Sequence, residues 1–174
     1  MNGLRWIEVP ISSRHDRTTF DCGEPALNEF LAKHARQSHD RGVSKTFVAV
    51  LEDDSHSIVG FHSLCPASLE FARTPEILRK KLPRHDVPVY RLARLAVSVA
   101  FQGRGLGGQL LISACKRCLQ ASSEVGGVAF LIDAKTDRAA NWYSSFGAIR
   151  LEDAPQSLVL PMDTIRKAIQ AFKP

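Results

Sequence analysis

The sequence predicts a mixed α/β layer fold, and three neighbouring segments carry that prediction. Val89–Val99 is an apolar run of strand character, Leu106–Ser122 repeats apolar residues at helical spacing, and Val128–Ile132 is a short, nearly continuous apolar run of the kind found in strands covered on both faces. Strand, long helix and strand in that order make a βαβ unit. The chain has 174 residues, 44% of them hydrophobic, which fills the core of one domain over residues 1–174 and would cramp two.

The remaining elements follow along the chain. Trp6 to Val9 is a short apolar start, with Trp6 expected in the core. From Pro25 to Ser38 the apolar Leu27, Phe30, Leu31 and Ala35 recur at helical spacing, Lys33 and Arg36 point outward, and Pro25 suits a first turn. Thr46–Leu51 and Ile58–Leu64 read as the two strands of an antiparallel hairpin around Glu52, Asp53, Asp54 and Ser55. Pro66 is expected to end or bend the second strand. A Pro-bounded connection from Thr74 to Pro88 holds one helical turn around Ile77–Leu82 and leads into the strand that carries Arg91 and Arg94. The long helix places Leu110, Leu111, Ala114, Cys115, Cys118 and Leu119 on one face and Lys116, Arg117 and Gln120 on the other, and Gly126 with Gly127 closes it. Asp137 is the expected cap of a helix running through Ser145 to Gly147. A strand at Ser157–Leu160 and an amphipathic helix with Ile165, Ala168, Ile169 and Phe172 complete the chain.

Charge is concentrated. The formal net charge is +5, and one window from Arg73 to Arg94 holds seven basic residues (Arg73, Arg79, Lys80, Lys81, Arg84, Arg91, Arg94) against Glu76 and Asp86, so this window accounts for all of it. A solvated basic face and a surface for a polyanion explain it equally well. The four cysteines are too few and too irregular for a disulfide framework, which points to ordinary buried thiols in a reducing cytoplasm. Cys115 and Cys118 have CxxC spacing but lie mid-helix on its apolar side, and the six histidines, expected mostly at the surface, show no ligand spacing; no metal site is expected. No stretch approaches the roughly 18 uninterrupted apolar residues of a membrane helix, and no signal peptide is read at the start.

The most informative segment is Gln102, Gly103, Arg104, Gly105, Leu106, Gly107, Gly108, between an apolar strand and the long helix. Four glycines in six positions are costly near a helix start, at up to ~1 kcal/mol each against alanine if helical. One glycine would serve a turn. No Ser, Thr, Asp or Asn is present there to cap the helix, so its first N–H groups lack a side-chain acceptor, and a bound phosphate would supply the oxygens with the helix dipole in its favour. A Walker P-loop requires Gly-Lys-Ser/Thr, whereas Gly107 is followed by Gly108 and Gln109. A dinucleotide fingerprint would open the first βαβ unit of the chain; here a hairpin and two other elements come first, which makes a dinucleotide the weaker option although Asp133 lies near the right distance.

Gln102, Gly105 and Gly107 match the pattern Gln/Arg, two residues, Gly, one residue, Gly/Ala, and on these residues the chain resembles the GNAT family of N-acetyltransferases. Arg94, Leu95, Ala96 and Val97 resemble the strand whose exposed backbone holds the pantetheine arm in that family, and Asn141-Trp142-Tyr143-Ser144-Ser145-Phe146-Gly147 resembles its aromatic, Tyr, three residues, Gly ending. The likeness is closer still to bacterial type II toxins that acetylate aminoacyl-tRNA: Phe20-Asp21-Cys22-Gly23 followed by Pro25 and a helix, the Pro88-Val89 lead-in, and the Trp142-Tyr143 pair extend it over nearly the whole chain. Trp142 stands where phenylalanine is more usual and Ala148 replaces a common Phe, departures that concern the acceptor pocket and not the reaction.

The resemblance implies a GNAT fold, a mixed central sheet flanked by helices. It implies acetyl-CoA as co-substrate, held by Leu95, Ala96 and Val97 and by Gln102, Gly103, Arg104, Gly105, Leu106, Gly107 and Gly108. The expected acceptor is the α-amino group of aminoacyl-tRNA, with translation blocked as the outcome; the alternatives are a metabolic or protein N-acetyltransferase acting on a small amine or peptide, and a non-catalytic acyl-CoA sensor. A ribbon-helix-helix antitoxin and a homodimer are the implied partners.

In such a reaction a neutral amine attacks the thioester, an oxyanion forms and a thiolate leaves. A backbone N–H on Leu95–Val97 would stabilise the oxyanion, a role worth ~3 kcal/mol in other sites. Tyr143 is the candidate acid, because a phenol near ~10 can protonate a thiolate whose conjugate acid lies near ~8.5. Ala139, Trp142, Tyr143 and Phe146 share a helical face, a pattern that core packing alone would also give, and the glycine loop and family pattern favour catalysis. No base stands out, which leans towards an α-amine acceptor, since its pKa of ~7.7 to 8.0 leaves a fair fraction neutral. Arg79, Lys80, Arg84 and Arg91 are the candidate tRNA contacts.

Overall fold

The computed structural model describes residues 5–171. By its internal contacts the chain divides into two compact units, Met1–Cys65 with Ala93–Ala114 and Pro66–Leu92 with Cys115–Pro174.

In the first unit, β1 (Trp6–Pro10) pairs antiparallel with β2 (Lys45–Leu51), Trp6 opposite Leu51 and Pro10 opposite Phe47. β2 in turn pairs antiparallel with β3 (Asp54–Leu69), with register shifts between Ala49 and Leu51. Side chains alternate across these strands. Val48, Val50, Phe61 and Ala96 join Phe20, Phe30 and Leu31 in one cluster, while Ala49 and Val59 join Leu106 and Leu110 in another, against which Leu51, Leu95 and Val97 pack. Gly60 is required by the second cluster, because a Cβ there would lie 2.8 Å from Leu110 Cδ1 and 3.1 Å from the Ala96 carbonyl.

Two expectations are corrected here. The helix expected from Pro25 to Ser38 is two helices, α1 (Pro25–Lys33) and α2 (Ala35–Asp40), broken where His34 leaves helical dihedrals at φ −123°, ψ −30°. Leu31 and Ala35 are fully buried on either side, and a spacing pattern cannot reveal a bend that keeps its buried positions buried. Strand β3 runs 16 residues and continues through Pro66 to Leu69, since proline removes one donor but its fixed φ suits extended backbone. His15 and His62 are buried while the other four histidines are not, in keeping with an expectation of mostly surface positions; His62 Nε2 lies 3.1 Å from Glu8 Oε1.

The second unit is built around β5 (Ala129–Asp133), whose first four residues are buried. It lies parallel to β4 (Val87–Val97), Val89 opposite Ala129 through Leu92 opposite Ile132, and antiparallel to β7 (Ser157–Pro161). A two-residue β6 (Ile149–Arg150), not expected from sequence, pairs with β7. The strand order is β1-β2-β3-β4-β5-β7-β6, and α4 (Leu106–Val125) is the crossover of the parallel pair, ending at Gly126 with φ +85°. The helical turn in the basic connection is α3, shorter than expected at Glu76–Arg79. Helix α5 (Asp137–Ser144) is capped by Thr136, whose Oγ1 accepts from the Ala139 N–H at 3.1 Å; Asp137, the expected cap, is the first helical residue. α6 (Met162–Ala171) buries Met162 and Ile165, and Phe172 lies outside the described residues. Leu69, Val87, Val89, Ala129, Leu131, Leu151 and Val159 form the core of this unit. All four cysteines are free thiols, three of them buried, as expected. Among the described residues no helix is long and apolar enough to cross a membrane.

Candidate active site

Registered pairing between β4 and β5 stops at Leu92 and Ile132, while β4, which neighbours β3 on its other side, continues to Val97. Leu95 and Val97 direct their side chains into the α4 cluster, and Ala96, 6% exposed, packs on the opposite face.

Beyond Val97 the chain is pinned. Ser98 N–H donates to the Val59 carbonyl and Val99 N–H to that of Asp21, both at 2.9 Å, and a 3-10 turn spans Val99–Phe101. The Gln102 amide Nε2 then donates to the carbonyls of Val97 (2.9 Å) and Cys22 (3.0 Å). Its side-chain donors are used on protein, so the Gln102 side chain holds the loop in shape. Gly103 and Gly105 adopt φ +75° and +83°, with no atom within 4 Å of where a Cβ would stand; their backbone conformation, not crowding, is what demands glycine. Gln109 N–H, donating to the Gly105 carbonyl at 3.2 Å, makes the first intrahelical bond of α4, so the amides of Leu106, Gly107 and Gly108 are the unpaired tip of a 20-residue helix. No acidic side chain occupies that first turn. Leu106, 2% exposed, anchors the tip in the core, and Arg104 lies with its guanidinium 5.5 Å from the Phe101 ring. The glycine run expected from sequence thus forms the turn that leads into an uncapped helix end.

Arg94, on β4, stacks its guanidinium 3.7 Å over the Phe30 ring of α1, and burial pushes its pKa down.

In the second unit, α5 presents Tyr143. Its side chain is buried beside Ala140, and burial pushes the phenol up to about 12. The expected common face of Ala139, Trp142, Tyr143 and Phe146 divides: Tyr143 turns inward, while Trp142 (36% exposed) and Phe146 (38%) lie edge-to-face at 4.9 Å at the surface. Arg150 of β6 ties the segment down, donating to Asn141 Oδ1 and to the Pro155 carbonyl. That brace connects residues in an element the sequence did not reveal.

The basic window is less exposed as charge than its composition suggests. Arg73 pairs with Asp153 (2.7 Å) and Arg91 with Asp133 (3.4 Å), carboxylates outside the window, and Lys80 pairs with Glu76 (3.4 Å). Arg79 sits 6.0 Å from the Phe71 ring centroid, and Arg84 forms no ion pair among the described residues. The four candidate tRNA residues are thus spread over α3, the connection after it and β4. A cavity of about 430 Å³ in this unit brings Arg73, Arg79 and Arg150 together with Glu76, Glu152 and Asp153. Its charges balance, and none of the loop or strand residues that would hold a donor line it.

The family model of the acetyltransferase (GNAT) domain matches residues 44–147, a span that contains β4, the glycine turn and the start of α4. The chain belongs to the GNAT family. Among its relatives, a protein named tRNA-acetylating toxin from Mycobacterium tuberculosis is 38% identical over 159 residues, covering 91% of this chain and 93% of that protein. Two solved structures extend the likeness: AtaT complexed with acetyl-methionyl-tRNAfMet, with a TM-score of 0.88 at 27% identity over 94% of this chain and 99% of that one, and AtaTR bound with AcCoA, with a TM-score of 0.83 at 28% identity over 95% and 98%. The GNAT fold and an acetyltransferase activity are thereby established for this chain.

Sequence reasoning missed two features of the site. The Arg94–Phe30 stack joins residues far apart in the chain and has no local signal. Thr136 was visible as a hydroxyl directly before the helix, in the position that an N-cap prefers.

Proposed function

We propose that this acetyltransferase uses acetyl-CoA to acetylate the α-amino group of an aminoacyl-tRNA, and that it is a cytoplasmic toxin that blocks translation. The observation that carries the reading is the 38% identity, over nearly the full length of both chains, to a protein named for acetylating tRNA.

The residues fit the donor. Three free amides at Leu106, Gly107 and Gly108, two glycines with positive φ and no carboxylate in the first turn of α4 suit a diphosphate. The backbone of Leu95, Ala96 and Val97 takes the pantetheine arm and polarises the thioester carbonyl. Bound acetyl-CoA supplies the activated acetyl group. Tyr143, neutral because burial raises its pKa to about 12, donates its proton to the departing sulfur. The acceptor enters as the free amine, which at an α-amino pKa of ~7.7 to 8.0 needs no dedicated base. Arg79, Lys80, Arg84 and Arg91 contribute contacts to the tRNA backbone, with Lys80 and Arg91 each giving up a surface ion pair worth at most about 1 kcal/mol. A ribbon-helix-helix antitoxin that restrains the enzyme, and a homodimer, complete the reading.

The test is transfer of labelled acetyl from acetyl-CoA to a pool of charged tRNA by the purified chain. Label in the aminoacyl-tRNA fraction, released with the amino acid by mild alkali, is expected. Transfer to small amines or peptides alone would refute the choice of acceptor.

A further inference from the structure

Arg94 is a cation that the reaction described so far does not use. Along the end of β4, Leu95 and Val97 face the cluster that contains α4, whereas Ala96 faces Phe30 and Phe61. Arg94 shares the side of Ala96: its guanidinium lies 3.7 Å over Phe30, at one end of an aromatic run in which Phe30 stacks on Phe61 at 6.2 Å and Phe61 meets Phe20 at 5.5 Å. Phe30 is only 7% exposed and packs within the Phe20 and Phe61 cluster, so the ring under the guanidinium is held by its neighbours. Burial opposes the charge of Arg94, with Cys65 the one ionisable neighbour that supports it. Among the described residues no carboxylate lies at ion-pair distance from it, while Arg73, Lys80 and Arg91 of the same basic window each have one. A half-desolvated guanidinium is costly unless an anion completes it, and the ring face returns part of that cost while holding the planar fork in place for two parallel hydrogen bonds.

The anion is not the donor diphosphate, which belongs at the tip of α4 on the opposite face of the strand. At about 3.3 Å per residue, Arg94 stands about 10 Å back along β4 from Val97, away from the glycine turn. An anion there comes from the acceptor. In an aminoacyl-tRNA the amino acid carboxyl is consumed in the ester to the terminal ribose, so the nearest anion to the reacting amine is the phosphodiester that joins the terminal adenosine to the preceding nucleotide. We infer that Arg94, stacked on Phe30, binds this phosphodiester and so selects amino acids attached to a nucleotide chain over free ones. This rests on the proposed acceptor.

The test compares kcat/KM for two acceptors carrying the same amino acid, the aminoacyl ester of adenosine and the aminoacyl ester of cytidylyl-adenosine, which differ by the phosphodiester and its nucleoside. The unaltered enzyme is expected to prefer the second by at least about tenfold, as loss of one charged hydrogen-bonded contact implies. Arg94→Gln should bring the ratio close to one, and Arg94→Lys and Phe30→Leu should each leave it in between, because one keeps charge without the planar fork and the other keeps the fork without its floor. A purely structural role would lower both rates together and leave the ratio unchanged, which overturns the inference, as does an unaltered enzyme with no preference. Loss of antitoxin-peptide binding with the ratio intact overturns it in favour of a peptide carboxylate. Should Arg94→Gln fail to fold, Arg94→Lys and Phe30→Leu decide the matter. Failure of the unaltered enzyme to acetylate aminoacyl-tRNA at all would instead refute the proposed function.

Discussion

Replacing Tyr143 by phenylalanine removes one hydroxyl from a buried side chain and leaves its ring in place beside Ala140, so the variant should fold. The size of the effect follows from the surroundings. Burial holds the phenol at about 12. Against a thiol at its aqueous value of ~8.5, full proton transfer would be uphill by about 3.5 pK units, or about 5 kcal/mol. Burial raises thiols too, however: Cys115 is pushed up to about 12 by the same cause. A thiolate leaving in comparably dry surroundings closes the gap, and transfer from Tyr143 becomes nearly balanced. The acid then contributes within the usual range, and kcat for Tyr143→Phe should fall by about 10²- to 10³-fold in a steady-state assay of labelled acetyl transfer. Donor affinity by calorimetry should hold within about twofold, because the lost interaction acts on the leaving group. The raised pKa also sets the pH profile of the unaltered enzyme: the acid stays protonated up to about 12, so kcat/KM should rise through the amine titration near ~8 and stay level to about pH 10. Two results would refute this reasoning: a Tyr143→Phe enzyme within about threefold of the unaltered one, or a falling limb near pH 10 that the variant lacks.

Three further outcomes are expected. Gln102→Ala removes two hydrogen bonds, to Val97 and Cys22, and should cost about 1–3 kcal/mol in urea denaturation while weakening acetyl-CoA binding; unchanged values in both would show that the glycine turn keeps its shape unaided. Gly60→Ala brings a methyl against Leu110 Cδ1 and the Ala96 carbonyl, and should lower the melting temperature by the equivalent of about 1–3 kcal/mol, an unchanged melt contradicting the packing described for β3 and α4. Tyr143 and Cys115 both have folded pKa values near 12, above their ordinary values of 10.0 and 9.0, so the native state retains protons that the unfolded chain loses. Their contribution is complete below about pH 9 and disappears as pH rises towards 12, roughly 3 kcal/mol for the phenol and 4 kcal/mol for the thiol; denaturation midpoints that do not fall between about pH 8 and 10.5 would contradict it.

Much of this molecule was readable before any coordinates, wherever the signal is local. The run from Gln102 to Gly108 announces a glycine turn into an uncapped helix tip because its glycines and its missing cap are adjacent in the chain, and Gly103 and Gly105 have the positive φ that only glycine adopts cheaply. The βαβ unit was legible from the two periodicities and the unbroken apolar run of β5. The bend at His34, the passage of β3 through Pro66 and the two-residue β6 were not, because each depends on what the segment packs against and leaves the local pattern nearly unchanged.

By itself, then, the sequence determined the family, through short motifs each made of residues within a few positions of one another, and it pointed to a glycine loop and one tyrosine as the candidates for chemistry. Tertiary structure alone decided what those side chains do. It spends the Gln102 amide on two carbonyls, turns Tyr143 inward and Trp142 outward on one short helix, matches Arg73 and Arg91 with acids from elsewhere in the chain, and lays Arg94 on Phe30 with no carboxylate at ion-pair distance among the described residues. Burial and pairing are relations between residues distant in sequence, and through desolvation and Coulomb attraction they set the protonation and the availability of every charged group in the site.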